Sequence, residues 1–245
     1  MKTCLLSLGL LLWGGPAYAV NYCGQTLSGY VTLDSDQNCV TDGIKLNAGA
    51  TLDGAGRWHV YGYQMPTDKA CIRALNTTTG SVTVKNIYVE GCGEGIIFAN
   101  VKNPRVNYAT VSNTRGSAGI RCTGCLSGIF HHNYVSFNAA NGILYQGGAQ
   151  NQAYNNSISG NGTGVRITAN ASNVARLVQL YDNWIVYNTG WSVVFDGSTR
   201  DSYANSAHPS AGWWIDSVIF TNGTTGNFAR GYNSCRDDSG RGQCQ

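Results

Sequence analysis

The sequence predicts an all-β solenoid, a stack of coils each built from short strands and turns, and three observations predict it. The first is a repeat: Asn86-Ile87-Tyr88-Val89, Asn107-Tyr108-Ala109-Thr110-Val111, Asn133-Tyr134-Val135-Ser136-Phe137, Asn156-Ser157-Ile158-Ser159, Asn183-Trp184-Ile185-Val186-Tyr187 and Asp216-Ser217-Val218-Ile219-Phe220, with starts 21 to 33 residues apart. A drifting period in that range, with Asn at turns and apolar residues at every second place, matches one coil of a stacked array. The second is an interleaved series of a small residue, Ile or Val, a variable position and an apolar one. It runs through Gly43-Ile44-Lys45-Leu46, Cys71-Ile72-Arg73-Ala74, Gly95-Ile96-Ile97-Phe98, Gly119-Ile120-Arg121-Cys122, Gly142-Ile143-Leu144-Tyr145, Gly164-Val165-Arg166-Ile167 and Ser192-Val193-Val194-Phe195. The third is composition: 32 glycines in 245 residues and only 12% charged residues, a balance suited to many turns between short strands and unlike that of disordered chains. Helices are excluded because Gly and Asn recur every few residues and no 3.6-residue periodicity is sustained.

Taken in order, residues 1–19 read as an export leader. Lys2 supplies the positive start, Leu5 to Trp13 the apolar stretch, and Ala17-Tyr18-Ala19 a small-x-small cleavage site. A secreted or periplasmic product is expected, and nothing later reaches membrane-spanning length. Residues 20–42 are expected to cap the first coil, 43–222 to form the coils, and 223–245 to cover the last, because an open strand edge invites aggregation. Eight cysteines follow the leader, which in an exported chain reads as disulfides. Cys23–Cys39 and Cys235–Cys244 are the pairings that would staple the two ends. Cys122-Thr-Gly-Cys125 fits a bridge or a metal or redox motif, but no second Cys-x-x-Cys or close His pair completes a zinc site. The formal net charge of +3 is too small to imply nucleic acid or membrane partners.

In a strand the side chains alternate faces, so the second and fourth places of the Gly-Ile series point inward. Stacked, they give one column of Ile44, Ile72, Ile96, Ile120, Ile143, Val165 and Val193, and another of Leu46, Ala74, Phe98, Cys122, Tyr145, Ile167 and Phe195. Tyr145 is expected in the core with a buried partner for its hydroxyl.

These Gly-Ile-x-apolar strands with Asn-x-apolar-x-x-Asn turns resemble the repeats of the pectate-lyase-like superfamily, especially its carbohydrate-binding and sugar-hydrolase repeats. The resemblance covers roughly residues 43 to 222. It implies a single-stranded right-handed parallel β-helix of roughly seven coils, here with disulfide-stapled ends. The superfamily includes lyases, hydrolases, epimerases, phage tailspikes and non-catalytic proteins, so it leaves activity open.

The third, outward place reads Lys45, Arg73, Ile97, Arg121, Leu144, Arg166, Val194. With coils about 4.8 Å apart, alternate arginines recur about every 10 Å, near the length of a disaccharide in an extended polymer. Arg suits carboxylates because its planar fork donates two parallel hydrogen bonds. Two readings stand: a basic track for acidic polysaccharide, with Lys45, Arg73, Gln146 and Trp191 as binding residues, or arginines that keep a strand face soluble while their stems cover apolar neighbours. Asp196, Arg200 and Asp201 open the longest insertion, Gly197 to Gly212. With Arg121 and Arg166 they form the expected catalytic neighbourhood, and calcium is its candidate cofactor. A surface ion pair is the alternative.

The paired carboxyl groups that hydrolases use are not evident. The Asp-Asp and Gly-His-Gly motifs of polygalacturonases are missing, although Val165-Arg166-Ile167 faintly resembles their Arg-Ile-Lys. Trp214-Ile215-Asp216-Ser217 resembles the Trp-Ile-Asp-His motif of pectate lyases with Ser217 in place of His, and Asp216 reads as a turn residue. The expectation is a protein that binds acidic polysaccharide and cleaves it, if at all, by β-elimination. A non-catalytic carbohydrate-binding or adhesion module and a purely structural solenoid are the alternatives.

Overall fold

The computed structural model describes residues 19–170, 174–197, 199–205, 215–221, 224, 227–230, 232–237 and 243–244. The leader before Ala19, Trp213 and Trp214 lie outside these residues, and so does most of the insertion after Asp201. The chain winds as a solenoid in which, from Thr26 to Val186, each described coil contributes a rung to each of three parallel ladders in turn.

The first ladder holds Thr26–Leu27, Ile44–Leu46, Ala70–Leu75, Glu94–Ala99, Ala118–Thr123, Asn141–Gln146, Thr163–Thr168, Val193–Asp196, Ile215–Phe220 and Tyr232–Asp237. The second runs from Tyr30–Thr32 through Val82–Lys85, Ile129–His131 and Gln179–Tyr181 to Gln243–Cys244. The third comprises Gln37–Asn38, His59–Tyr61, Tyr88–Glu90, Thr110–Ser112, Tyr134–Ser136, Ser157–Ser159 and Trp184–Val186, and joins the first at Ile215–Phe220. The seven coils read from the sequence form the body. Before them Thr26–Leu27, Tyr30–Thr32 and Gln37–Asn38 add one short rung to each ladder.

The register of the first ladder is the one the inward columns require: Ile44, Ile72, Ile96, Ile120, Ile143, Val165 and Val193 lie side by side, and all are fully buried. Phe98, Phe130 and Tyr145 stack inside the solenoid, and the Tyr145 hydroxyl donates to the Gln152 carbonyl at 3.2 Å. The small residue that opens each rung has a steric cause. A Cβ on Gly95 would lie 2.2 Å from the Gly119 carbonyl oxygen of the next coil.

The Asn repeat is less uniform than its spacing suggests. Asn133, Asn156 and Asn183 are buried and form one ladder, with each amide bonding the next at 2.9 Å. Asn138, Asn161 and Asn188 form a second at 2.8 and 3.1 Å. Asn86 instead occupies the left-handed corner itself, φ 49°, Asn107 ends an outer rung, and the Asp216 carboxylate accepts the Tyr187 N–H at 2.9 Å. By register Asn107, Asn86 and Asn133 fall at three successive places of the coil, so a motif defined by Asn alone slips by one or two.

Cys23–Cys39 is bridged as expected, Cys71–Cys92 ties successive coils, and Cys122–Cys125 closes a buried turn. The Cys235–Cys244 pairing lies outside the described side chains.

Asp53 gives the fold a pH dependence. Burial raises its proton affinity, but bonds from Tyr30, the Ala55 N–H, Asn86 and Lys85 outweigh this and lower its pKa to about 2. A depressed carboxyl stabilises the fold above its unfolded pKa, near 4, and that stability is lost as pH falls toward 2. Asp53→Asn should flatten this acid limb, worth about 2 kcal/mol, in melting curves recorded from pH 5 to pH 2.

Candidate functional site

The outward side of the first ladder carries Lys45, Arg73, Ile97, Arg121, Leu144, Arg166, Val194 and Ile219 in consecutive register. Arg73, Arg121 and Arg166 therefore stand two coils apart, about 9.6 Å. The intervening Ile97, Leu144, Val194 and Ile219 are only 6–7% exposed although they face outward. The stems of the flanking arginines have the reach to cover them.

Each cation meets a carboxylate, so the basic track carries little net charge. Lys45 and Arg73 share Asp42 at 2.8 and 3.2 Å, Arg121 lies 3.9 Å from Glu94, and Arg166 is bonded to Asp196. Four cations against three carboxylates leave the column close to neutral. At Asp196 burial raises the proton affinity, but hydrogen bonds from Arg166 and Thr221 prevail and hold the carboxyl below its ordinary range. Asp42 shows the same balance, burial against Lys45 and Arg73. Both carboxylates are ionised at neutral pH.

Between Arg73 and Arg121 the face is hollowed into a groove of about 290 Å³ lined by Asp68, Arg73, Ile97, Ala99, Arg121, Thr123 and Gln146. Arg73 and Arg121 frame an apolar floor, and Thr123 donates to the Gln146 side-chain oxygen at 3.2 Å along one rim. Glu94 is the residue that sequence reasoning missed. It is 5% exposed; its Oε1 accepts the Ser117 N–H at 3.2 Å and hydroxyl at 2.5 Å. Its Oε2 and the Arg121 Nε are buried without a hydrogen-bond partner. Glu94 thus sits behind Arg121 as a buried counter-charge, without a hydrogen bond to it. The signal available in sequence was a Glu at a rung start where neighbouring coils have Ala70, Ala118 and Asn141.

The second expected cluster is not assembled. Arg166 and Asp196 meet, but the chain turns at Gly197, φ 65°, and carries Arg200 into a separate row beside Arg176. Arg200 and Asp201 line a different cavity of about 370 Å³ with Leu126, Ala149 and Arg176. Trp191 lies half-buried at the corner before Val193–Asp196, its carbonyl accepting the Gly164 N–H, and does not line the groove. Among the described residues no three His, Cys, Asp or Glu side chains converge. No helix among the described residues is long and apolar enough to cross a membrane.

Residues 70–229 match the family model described as the right-handed β-helix region, well over half of the chain, and the protein belongs to that family. Solved structures of similar shape include an alginate lyase from Paenibacillus sp. str. FPU-7, 10% identical, covering 91% of this chain and 89% of its own, TM-score 0.38. The A-module of a mannuronan C-5 epimerase from Azotobacter vinelandii is 13% identical, covering 89% and 88%, TM-score 0.32. Endopolygalacturonase I from Stereum purpureum is 13% identical, covering 90% and 93%, TM-score 0.28. Likeness at this level carries no argument about chemistry. No curated protein sequence matches the chain.

Proposed function

We propose that the outer face of the first ladder binds an acidic polysaccharide laid along the solenoid axis, in a secreted or periplasmic setting where the protein's disulfides persist. The observation that carries this reading is the groove between Arg73 and Arg121. Two guanidinium groups stand about a disaccharide apart, and buried or half-buried carboxylates hold them in place. A guanidinium anchored by one edge keeps further N–H donors for a uronate carboxylate.

In titrations against polygalacturonate and alginate, Arg73→Ala and Arg121→Ala are each expected to weaken binding about 10-fold, and added salt to weaken it further. Undiminished binding by the double variant would remove the reading.

β-Elimination is the catalytic form of the same reading. A base takes the C5 proton of a uronate, the C4–O bond breaks, and the leaving oxygen is protonated as a C4–C5 double bond forms. Arg73 and Arg121 can neutralise the uronate carboxylate for such a step. The groove lining includes no His, Tyr or Lys to serve as base, Arg stays protonated in proteins, and the one carboxylate of the lining, Asp68, faces Lys69 at 3.8 Å. Binding without cleavage is therefore the reading the geometry supports best. Polyuronate mixtures should show no growth of the short-wavelength ultraviolet absorbance of an unsaturated uronate; growth of that signal, lost in Arg121→Ala, would establish the lyase instead.

A further inference from the structure

We propose that the third ladder carries a separate platform for an uncharged, extended polysaccharide whose sugar rings stack on aromatic side chains. The outward column of this ladder reads His59, Tyr88, Thr110, Tyr134, Ser157 and Trp184 in continuous register. Tyr88, Tyr134 and Trp184 are exposed, Tyr134 to 65%, and each is separated from the next by a coil bearing a small hydroxyl residue. Their pitch is about 9.6 Å, close to the disaccharide repeat of an extended, equatorially linked glycan. Aromatic rings spaced in this way meet the apolar faces of alternate sugars, while Thr110, Ser157 and the neighbouring Ser112, Ser136 and Ser159 meet their hydroxyls.

The corner that follows each rung supplies an independent observation. Gly91, Asn113, Phe137, Gly160 and Tyr187 occupy it, all with left-handed backbone. Gly and Asn are the residues this conformation favours, whereas an aromatic side chain is strained there. Yet Phe137, φ 56°, and Tyr187, φ 55°, are 67% and 78% exposed. They fall in the coils that carry Tyr134 and Trp184, and the third aromatic coil has the Tyr63 ring lying over Gly91. Tyr108 and Leu177 hold the same conformation at other corners, so what marks Phe137 and Tyr187 is their exposure beside the aromatic column; strained residues that bury little of themselves contribute little to the fold.

Charge selects the ligand. The two outward columns contain no Lys or Arg, and their one acid, Glu90, is engaged by Asn113 at 3.1 Å and by the Tyr63 hydroxyl. The exposed Arg115, two residues past Asn113, is taken up by the Tyr63, Gly62 and Met65 carbonyls, so the columns themselves offer a polyuronate no counter-charge, and a neutral glycan needs none.

The proposal does not rest on the Arg73–Arg121 groove, and its test separates the two. Retention of the protein would be measured on cellulose, xylan, mannan and chitin at low and high salt. At least one is expected to retain it, without salt dependence. Tyr134→Ala and Trp184→Ala are each expected to weaken retention about 3- to 10-fold, and Arg121→Ala to leave it unchanged. Phe137→Asn and Tyr187→Asn should weaken retention while raising Tm by about 2–4 °C, because the corner strain is relieved. Retention by none of the four glycans would overturn the platform, as would variants that bind like the parent. A lowered Tm in both Asn variants would show that the rings serve the fold and would also overturn it. An equal loss in Arg121→Ala would move the ligand to the other face.

Discussion

Asn156→Ala is expected to lower the unfolding free energy by about 3–5 kcal/mol, seen as a fall in Tm of about 10 °C. The Asn156 side chain is fully buried. Its oxygen accepts from the Asn133 N–H and amide at 3.0 and 2.9 Å, and its amide donates to the Phe130 carbonyl and to Asn183 at 3.0 and 2.9 Å. Ala would strand donors and acceptors in two neighbouring coils at once, and each unpaired buried group costs about 1–3 kcal/mol. It would also open a cavity in the row. A loss below about 1 kcal/mol would mean that water takes over the vacated positions, and the ladder could no longer be regarded as what locks coil to coil at this corner.

The second large effect is expected at Glu94, where stability and binding should separate. Glu94→Ala removes the acceptor for both Ser117 donors in a buried site and should cost about 2–4 kcal/mol. Glu94→Gln retains an oxygen for Ser117 and removes only the negative charge beside Arg121. Its stability should stay closer to that of the parent, and polyuronate binding should tighten a few-fold, because the buried counter-charge behind Arg121 has been neutralised. Thermal unfolding and polyuronate titration of the two variants distinguish these outcomes. Weaker binding in Glu94→Gln would show that the carboxylate orients Arg121 more than it masks it.

Much of the fold was legible because a strand writes its environment at every second residue. Ile44 to Val193 and Leu46 to Phe195 must be apolar whatever the ligand, so the inward columns and the register could be read directly. The outward arginine column followed from the same alternation. Its ion pairing did not, because Asp42 and Glu94 reach the arginines across coils and around a corner, where sequence distance says nothing of proximity. Arg200 and Asp201 were misplaced for the complementary reason: four residues beyond Asp196, the chain has already turned onto another side of the solenoid. The aromatic corner escaped because left-handed backbone leaves no mark on Phe137 or Tyr187 in sequence. Only the Gly and Asn in equivalent coils reveal it.

The alternation of arginine with aliphatic residues on the first ladder reaches further than that face. Arg73 and Tyr88 belong to one coil, Arg121 and Tyr134 to another, and Arg166 and Trp184 to a third, while the coils of Ile97 and Leu144 carry Thr110 and Ser157. One coil is the unit of folding, but two coils are the unit of surface pattern. A coil gained or lost singly would leave the stack sound and throw both faces out of step. Lengthening that preserves the pattern must add coils in pairs, so the molecule measures its surroundings with a coarser ruler than the one that builds it.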